Sequence, residues 1–206
     1  MIGIIDYGMG NLRSVEKALE SVGAKTRFIT GTSGLDGLSG LVLPGVGAFT
    51  DCVGNLRATG LWEPIREWIA ADRPFFGICL GYQMLFEGSE EGPGVEGLGV
   101  FKGNVVRFPK NDLKVPQMGW NEVKIVPQPG YNKAFIEGVS DGDHVYFVHS
   151  FYPVPADPGI VSMTTEYGLT FASAVGKGNL FATQFHPEKS QRIGLKLLSN
   201  FAKIAA

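Results

Sequence analysis

The first half of the chain alternates short, wholly apolar runs with segments whose apolar side chains recur at helical spacing, a pattern few folds accept. Ile2–Asp6, Thr26–Ile29, Leu41–Leu43 and Phe75–Ile78 are too short for helices, and their continuous apolarity suits strands buried on both faces. Between them, Leu12, Val15, Leu19 and Val22 share one helix face, with Asn11 placed to cap it and Gly23 at the C′ position. Leu61, Ile65, Trp68 and Ile69 repeat the spacing over Leu61–Ala71, and another helix is expected to start at Gly81–Phe86. Repeated strand–helix units of this kind predict a parallel sheet covered by helices on both faces.

The second half changes character. Val100–Phe108, Glu122–Val126, His144–Val148, Gly159–Thr165, Phe171–Val175 and Leu180–Gln184 read as strands separated by turn signals, and Ile193–Ile204 closes the chain as an amphipathic helix with Ser190 as its cap. The expected fold is α/β, an open mixed sheet with a parallel core and antiparallel additions. Neither a linker nor an internal repeat divides the 206 residues, so one domain over 1–206 is expected. A net charge of −2 argues against nucleic-acid binding through broad phosphate attraction. The amino terminus lacks a basic, apolar leader, and no apolar run is long enough to span a bilayer, so a cytoplasmic, soluble protein is expected. Two distant cysteines make no disulfide framework, and no zinc-ligand spacing occurs.

Chemistry first surfaces at Phe75-Phe76-Gly77-Ile78-Cys79-Leu80-Gly81, where an apolar strand ends in G-x-C-x-G and enters a helix. This is the pattern of a nucleophile elbow with cysteine in place of serine. Flanking glycines let strand and helix approach around a strained turn that presents its central residue. The amides at the helix start favour a thiolate, and that of Leu80 is placed to meet an oxyanion. A cysteine simply buried at a strand end is the competing explanation.

Gln184-Phe185-His186-Pro187-Glu188 weighs against it. In extended chain His186 and Glu188 project from the same face, and Pro187 stiffens that pairing. A carboxylate on one imidazole nitrogen leaves the other free to exchange a proton with a thiol. The third element, Leu43-Pro44-Gly45-Val46-Gly47, follows another strand and can aim backbone amides at developing negative charge, the amide of Gly47 being the expected second oxyanion donor. It lacks the Gly-Lys-Ser/Thr of a phosphate loop. Cys52, without an elbow, is expected to be structural, as are His144 and His149, while Met84 and Phe86 belong to the core.

Together the loop, elbow and His-Pro-Glu resemble, in order and over the whole chain, the class I (triad) glutamine amidotransferases. Three further segments, Ile5-Asp6-Tyr7-Gly8-Met9-Gly10-Asn11, Lys114-Val115-Pro116-Gln117-Met118-Gly119-Trp120-Asn121 and Tyr146-Phe147-Val148-His149-Ser150-Phe151, are similar to the branch serving histidine biosynthesis. Relatives often carry His at the position of Gln117 and Tyr at that of Phe151. The resemblance implies a catalytic triad of Cys79, His186 and Glu188, an oxyanion hole at Gly47 and Leu80, and glutamine held by Gly45, Gln83, Ser150 and Phe151. It implies no metal or organic cofactor. It also implies a heterodimer with a (βα)₈-barrel cyclase that receives the ammonia, docked through Asn11, Trp120, Tyr146 and Lys189, with an oxyanion loop that becomes competent when the partner binds its substrate. Open alternatives are a glutaminase subunit for anthranilate or pyridoxal phosphate synthesis, a cysteine peptidase or stress protein on a similar sheet, and a non-catalytic interaction subunit.

Overall fold

A computed structural model describes residues 1–110 and 113–206. The strands are β1 (Ile2–Ile5), β2 (Thr26–Ile29), β3 (Gly40–Gly45), β4 (Phe75–Cys79), β5 (Gly88–Ser89), β6 (Gly103–Arg107), β7 (Gln117–Glu122), β8 (Lys124–Ile125), β9 (His144–His149), β10 (Phe151–Pro155), β11 (Val161–Glu166), β12 (Thr170–Lys177) and β13 (Leu180–Thr183). The α-helices are α1 (Leu12–Ser21), α2 (Phe49–Ala58), α3 (Trp62–Ala70), α4 (Leu80–Gln83) and α5 (Gln191–Ile204).

Eight strands form the main sheet in the order β2-β1-β3-β4-β13-β12-β11-β8. The first five are parallel and the last three join antiparallel, as the change of pattern between the two halves predicts. Side-chain alternation splits the core into two layers. Ile5, Leu41, Leu43 and Phe75 face α2 and α3, whereas Ile2, Ile4, Val42 and Phe76 face α1 and α5. On α5, Ile193, Leu197, Leu198 and Phe201 are all buried, each worth about 1.5–3 kcal/mol of apolar transfer. Two smaller sheets, β10-β6-β5 and the antiparallel pair β7-β9, accompany the main one. No helix among the described residues is long and apolar enough to cross a membrane.

The structure corrects several local expectations. Asn11 stands at the start of α1 but its side chain makes no capping bond; its backbone carbonyl accepts from Ser14 and Val15 instead. Ser190 does not cap α5 either. The helix expected at Gly81–Phe86 is a single four-residue turn, α4, beginning one residue earlier. Segment 100–108 is a strand only over Gly103–Arg107, and Gly159–Thr165 opens with a 3₁₀ turn before β11. Helix α2 and strand β10 carry no strong periodic signal: Gly54 interrupts the first, and Pro153 and Pro155 interrupt the second.

Candidate active site

The carboxyl ends of β3, β4 and β13 converge, because β4 lies between its two neighbours with Gly45 opposite Cys79 and Thr183 opposite Ile78. An open parallel sheet leaves its ligand crevice at this end. Cys79 occupies it with φ 53° and ψ −106°, a left-handed conformation that a non-glycine residue holds only when its surroundings impose it. The surroundings do impose it. A Cβ on Gly81 would overlap the carbonyl oxygen of Leu43, and one on Gly77 would press within 3.1 Å of Ala182 and of the Gly81 carbonyl. Packing therefore demands the second glycine of the elbow and leaves little room for a side chain at the first. Since α4 is one turn long, its dipole is small.

His186 follows β13 in extended conformation, and Pro187 starts a 3₁₀ turn, Pro187–Lys189, so Glu188 reaches the imidazole by folding back rather than by strand alternation. His186 Nδ1 lies 2.8 Å from Glu188 Oε1, with both side chains almost wholly buried. Ser190 fastens this turn to β9: its hydroxyl donates to His186 O at 2.6 Å and accepts from Tyr146 N at 2.9 Å, while His186 N donates to Tyr146 O. Burial pushes the His186 imidazole down, but the facing Cys79 sulfur and the Glu188 carboxylate outweigh it and raise it to about 10. His186 Nε2 is buried without a partner of hydrogen-bond geometry, and the nearby Cys79 sulfur is the group that most favours a proton on the ring. The arrangement is a thiol beside an imidazole oriented by a carboxylate, suited to nucleophilic attack and proton transfer.

A cavity of about 270 Å³ opens over Cys79. Leu80, Gly47, Gln83, Ser150 and Phe151 are among the residues that line it. Gly45 does not; its missing Cβ is required by the Tyr7 hydroxyl, which would stand 2.6 Å away, and by Leu80. The loop after β3 is clamped on several sides. Tyr7 donates to Pro44 O at 2.9 Å, the Cys52 thiol lies 3.6 Å from Val46 O, and Glu91 accepts from Phe49 N at 2.9 Å. Gly47, at φ 112°, is exposed at the loop's crest.

Three residues of the site escaped sequence reasoning. Glu91 puts a carboxylate into the cavity wall; only the acidic pair Glu90-Glu91 hinted at it. Gln184, completely buried, approaches Cys79 Sγ to 3.7 Å through its Nε2. His149, expected to be structural, also lines the cavity, and burial lowers its imidazole to about 4, offset in part by the Phe151 carbonyl. Gln117 is buried opposite it, both its amide atoms unpaired.

Of the residues expected at an interface, Trp120 and Tyr146 face each other across β7 and β9 with ring centroids 6.1 Å apart, and Lys189 lies over the Tyr146 ring. Trp120 is 47% exposed and Met118 65%, so the apolar surface of this strand pair is open. Asn11 is exposed as well. A larger cleft, of about 750 Å³, lies around Leu180 at the opposite end of the strands, and neither a cysteine nor a histidine lines it.

The family model for glutamine amidotransferase class-I matches residues 3–205. The chain belongs to the class I glutamine amidotransferases. Among curated relatives, the imidazole glycerol phosphate synthase subunit HisH of Syntrophotalea carbinolica is 50% identical, the match covering 98% of each chain. The protein of the same name from Rhodopirellula baltica is 51% identical over 98% of this chain and 97% of its own. That of Geobacter metallireducens is also 51% identical, with the same two coverages. Solved structures share the amidotransferase fold at lower identity. A crystal structure of a glutamine amidotransferase superposes with TM-score 0.74 at 22% identity, covering 99% of this chain and 98% of that one. The structure of PurLQS from Thermotoga maritima gives 0.76 at 18%, covering 98% and 96%.

Proposed function

We propose that this chain is the glutaminase subunit of imidazole glycerol phosphate synthase, one glutamine amidotransferase domain over residues 1–206. It hydrolyses L-glutamine to glutamate and ammonia and hands the ammonia to a cyclase. The observation that carries the reading is the buried His186, held by Glu188 on Nδ1 and acted on by the Cys79 sulfur. Whole-length identity near 50% to proteins named for that synthase supports the choice of branch.

In this reading the substrate carboxamide sits over Cys79 in the cavity, near Gln83, Ser150 and Phe151, while Glu91 faces its α-ammonium group. The Cys79 thiolate attacks the carboxamide carbon, and the amides of Leu80 and Gly47 stabilise the tetrahedral oxyanion. His186 protonates the departing nitrogen, which leaves as ammonia with formation of a thioester. Water, deprotonated by His186, then adds to the thioester carbon. Collapse expels the Cys79 sulfur and releases glutamate. These steps use side chains and backbone amides, with no metal or organic cofactor.

The partner is a (βα)₈-barrel cyclase that makes imidazole glycerol phosphate and an aminoimidazole carboxamide ribonucleotide, working with this chain as a cytoplasmic heterodimer. The exposed apolar face formed by Met118, Trp120 and Tyr146, with Lys189 and Asn11 nearby, is its docking surface. An aromatic pair in an otherwise open patch suits an interface anchor. Strand β9 runs from that face into the cavity wall at Val148 and His149, a short route from a bound partner to the site. Docked partner and substrate bring the clamped Pro44–Gly47 loop into its competent form. The test is glutaminase activity of the full chain alone, with the cyclase, and with the cyclase and its ribonucleotide substrate. Stimulation only when that substrate is present is expected; equal rates in all three arms contradict the coupling. Trp120→Ala should weaken the heterodimer about tenfold or more by calorimetry.

A further inference from the structure

Behind Cys79 runs a line of buried hydrogen bonds that nucleophilic attack and proton transfer leave unexplained. Phe151 O receives His149 Nδ1 at 2.8 Å and Gln83 Nε2 at 2.9 Å. A carbonyl oxygen only accepts, so Gln83 must turn its NH₂ group toward Phe151. The second N–H of that group points to Gln184 at 3.1 Å, which must therefore offer Oε1. Gln184 is left with its own NH₂ group, and this faces Cys79 Sγ at 3.7 Å. Turning either amide around would set oxygen against oxygen or nitrogen against nitrogen beneath the cavity floor, where Gln83, Cys79, His149 and Gln184 are all buried. The direction of the whole line is thus fixed by one backbone carbonyl, and it ends in a donor at the sulfur.

The backbone makes the approach obligatory. Strand β13 pairs with β4 up to Thr183 opposite Ile78, so the next residues, Gln184 and Cys79, are neighbours across the sheet. Gln184 N also donates to Ser173 O at 2.9 Å, which continues the pairing on the other side. His149 is kept neutral by burial, so its one ring proton stays on Nδ1 for Phe151.

We propose that Gln184 is a further catalytic residue, its carboxamide N–H donating to Cys79 Sγ whenever that sulfur carries negative charge. Sulfur is anionic before attack and again when the thioester collapses, and a hydrogen bond to a charged acceptor is stronger than one to a neutral thiol. The inference rests on the reading of Cys79 as the nucleophile.

Two variants of the full-length chain test it: Gln184→Met, which removes the donor at similar volume, and Gln184→Glu, which keeps the shape and presents oxygen to sulfur. The measurement is the rate of iodoacetamide alkylation at Cys79, followed by peptide mass spectrometry so that Cys52 does not contribute, alongside the thermal unfolding midpoint. Alkylation needs no bound glutamine, so effects on substrate binding through Gln83 do not enter. Both variants are expected to alkylate about ten- to hundredfold more slowly at unchanged pH while remaining folded. A rate equal to or above the wild type in a folded variant overturns the proposal, including the case where only the unfolding midpoint falls. Should Gln184→Met fail to fold, the isosteric Gln184→Glu decides by the same criterion. Cys79→Ala separates the two levels: retained glutaminase activity there defeats the nucleophile assignment, whereas loss of activity with unaltered alkylation in the Gln184 variants defeats only the role of Gln184.

Discussion

His186 Nδ1 stands 2.8 Å from Glu188 Oε1, two residues along the same chain, and the pair is sealed from solvent with the Cys79 sulfur acting on the ring. The contact depends on Pro187 turning the backbone directly after His186 and on Ser190 tying the turn to β9. Burial pushes the imidazole down, but the Cys79 sulfur and then the carboxylate so placed outweigh it and raise it to about 10, while the carboxylate orients the ring.

Glu188→Gln keeps an acceptor for Nδ1 but removes the charge. The kcat for glutamine is expected to fall about ten- to hundredfold, less than on loss of the nucleophile. The imidazole should also become less basic, so the high-pH limb of the activity profile moves to lower pH. An unchanged rate and profile would mean that Glu188 does not support His186.

His149 makes stability depend on pH in the acid range. Its imidazole is lowered from 6.5 to about 4 on folding, so between those values the unfolded chain binds the additional proton. Stability from this group is complete above 6.5 and is lost as pH falls toward 4, by at most ~3 kcal/mol. His186 opposes the effect only near the top of the window, where the unfolded imidazole begins to lose its proton; its own stabilisation is present below 6.5 and fades as pH climbs toward 10. Chemical denaturation at a series of pH values, for the wild type and His149→Gln, measures the difference. A steeper acid-side loss in the wild type is expected, and parallel curves would contradict it.

Gly81→Ala should destabilise the fold by about 3 kcal/mol or more, since the added methyl would occupy the space of the Leu43 carbonyl on the neighbouring strand. Urea unfolding reads the loss. A stability within about 0.5 kcal/mol of the wild type would show that the elbow can relax and that its second glycine is dispensable.

What the sequence disclosed follows from how local each signal is. The G-x-C-x-G elbow, the His-Pro-Glu turn and the apolar strands of the parallel core are contiguous, and their chemistry is written within a few residues. The parallel sheet with antiparallel additions follows from the same patterns. Gln184 at the sulfur and Gln83 at the Phe151 carbonyl depend on strand order and register across more than sixty residues, which a single sequence does not display. Ser190 looked like a helix cap because caps and turn fasteners are the same residue types. Gly45 looked like part of a binding loop, yet its lack of a side chain serves packing against Tyr7 and Leu80.

The most direct test of the nucleophile is glutaminase turnover by Cys79→Ala in the assembled complex with the cyclase's substrate present. Activity is predicted to drop by ~10³-fold or more while the unfolding midpoint and the affinity for the cyclase stay at wild-type values. Glutamine hydrolysis persisting near the wild-type rate in that variant would contradict the account.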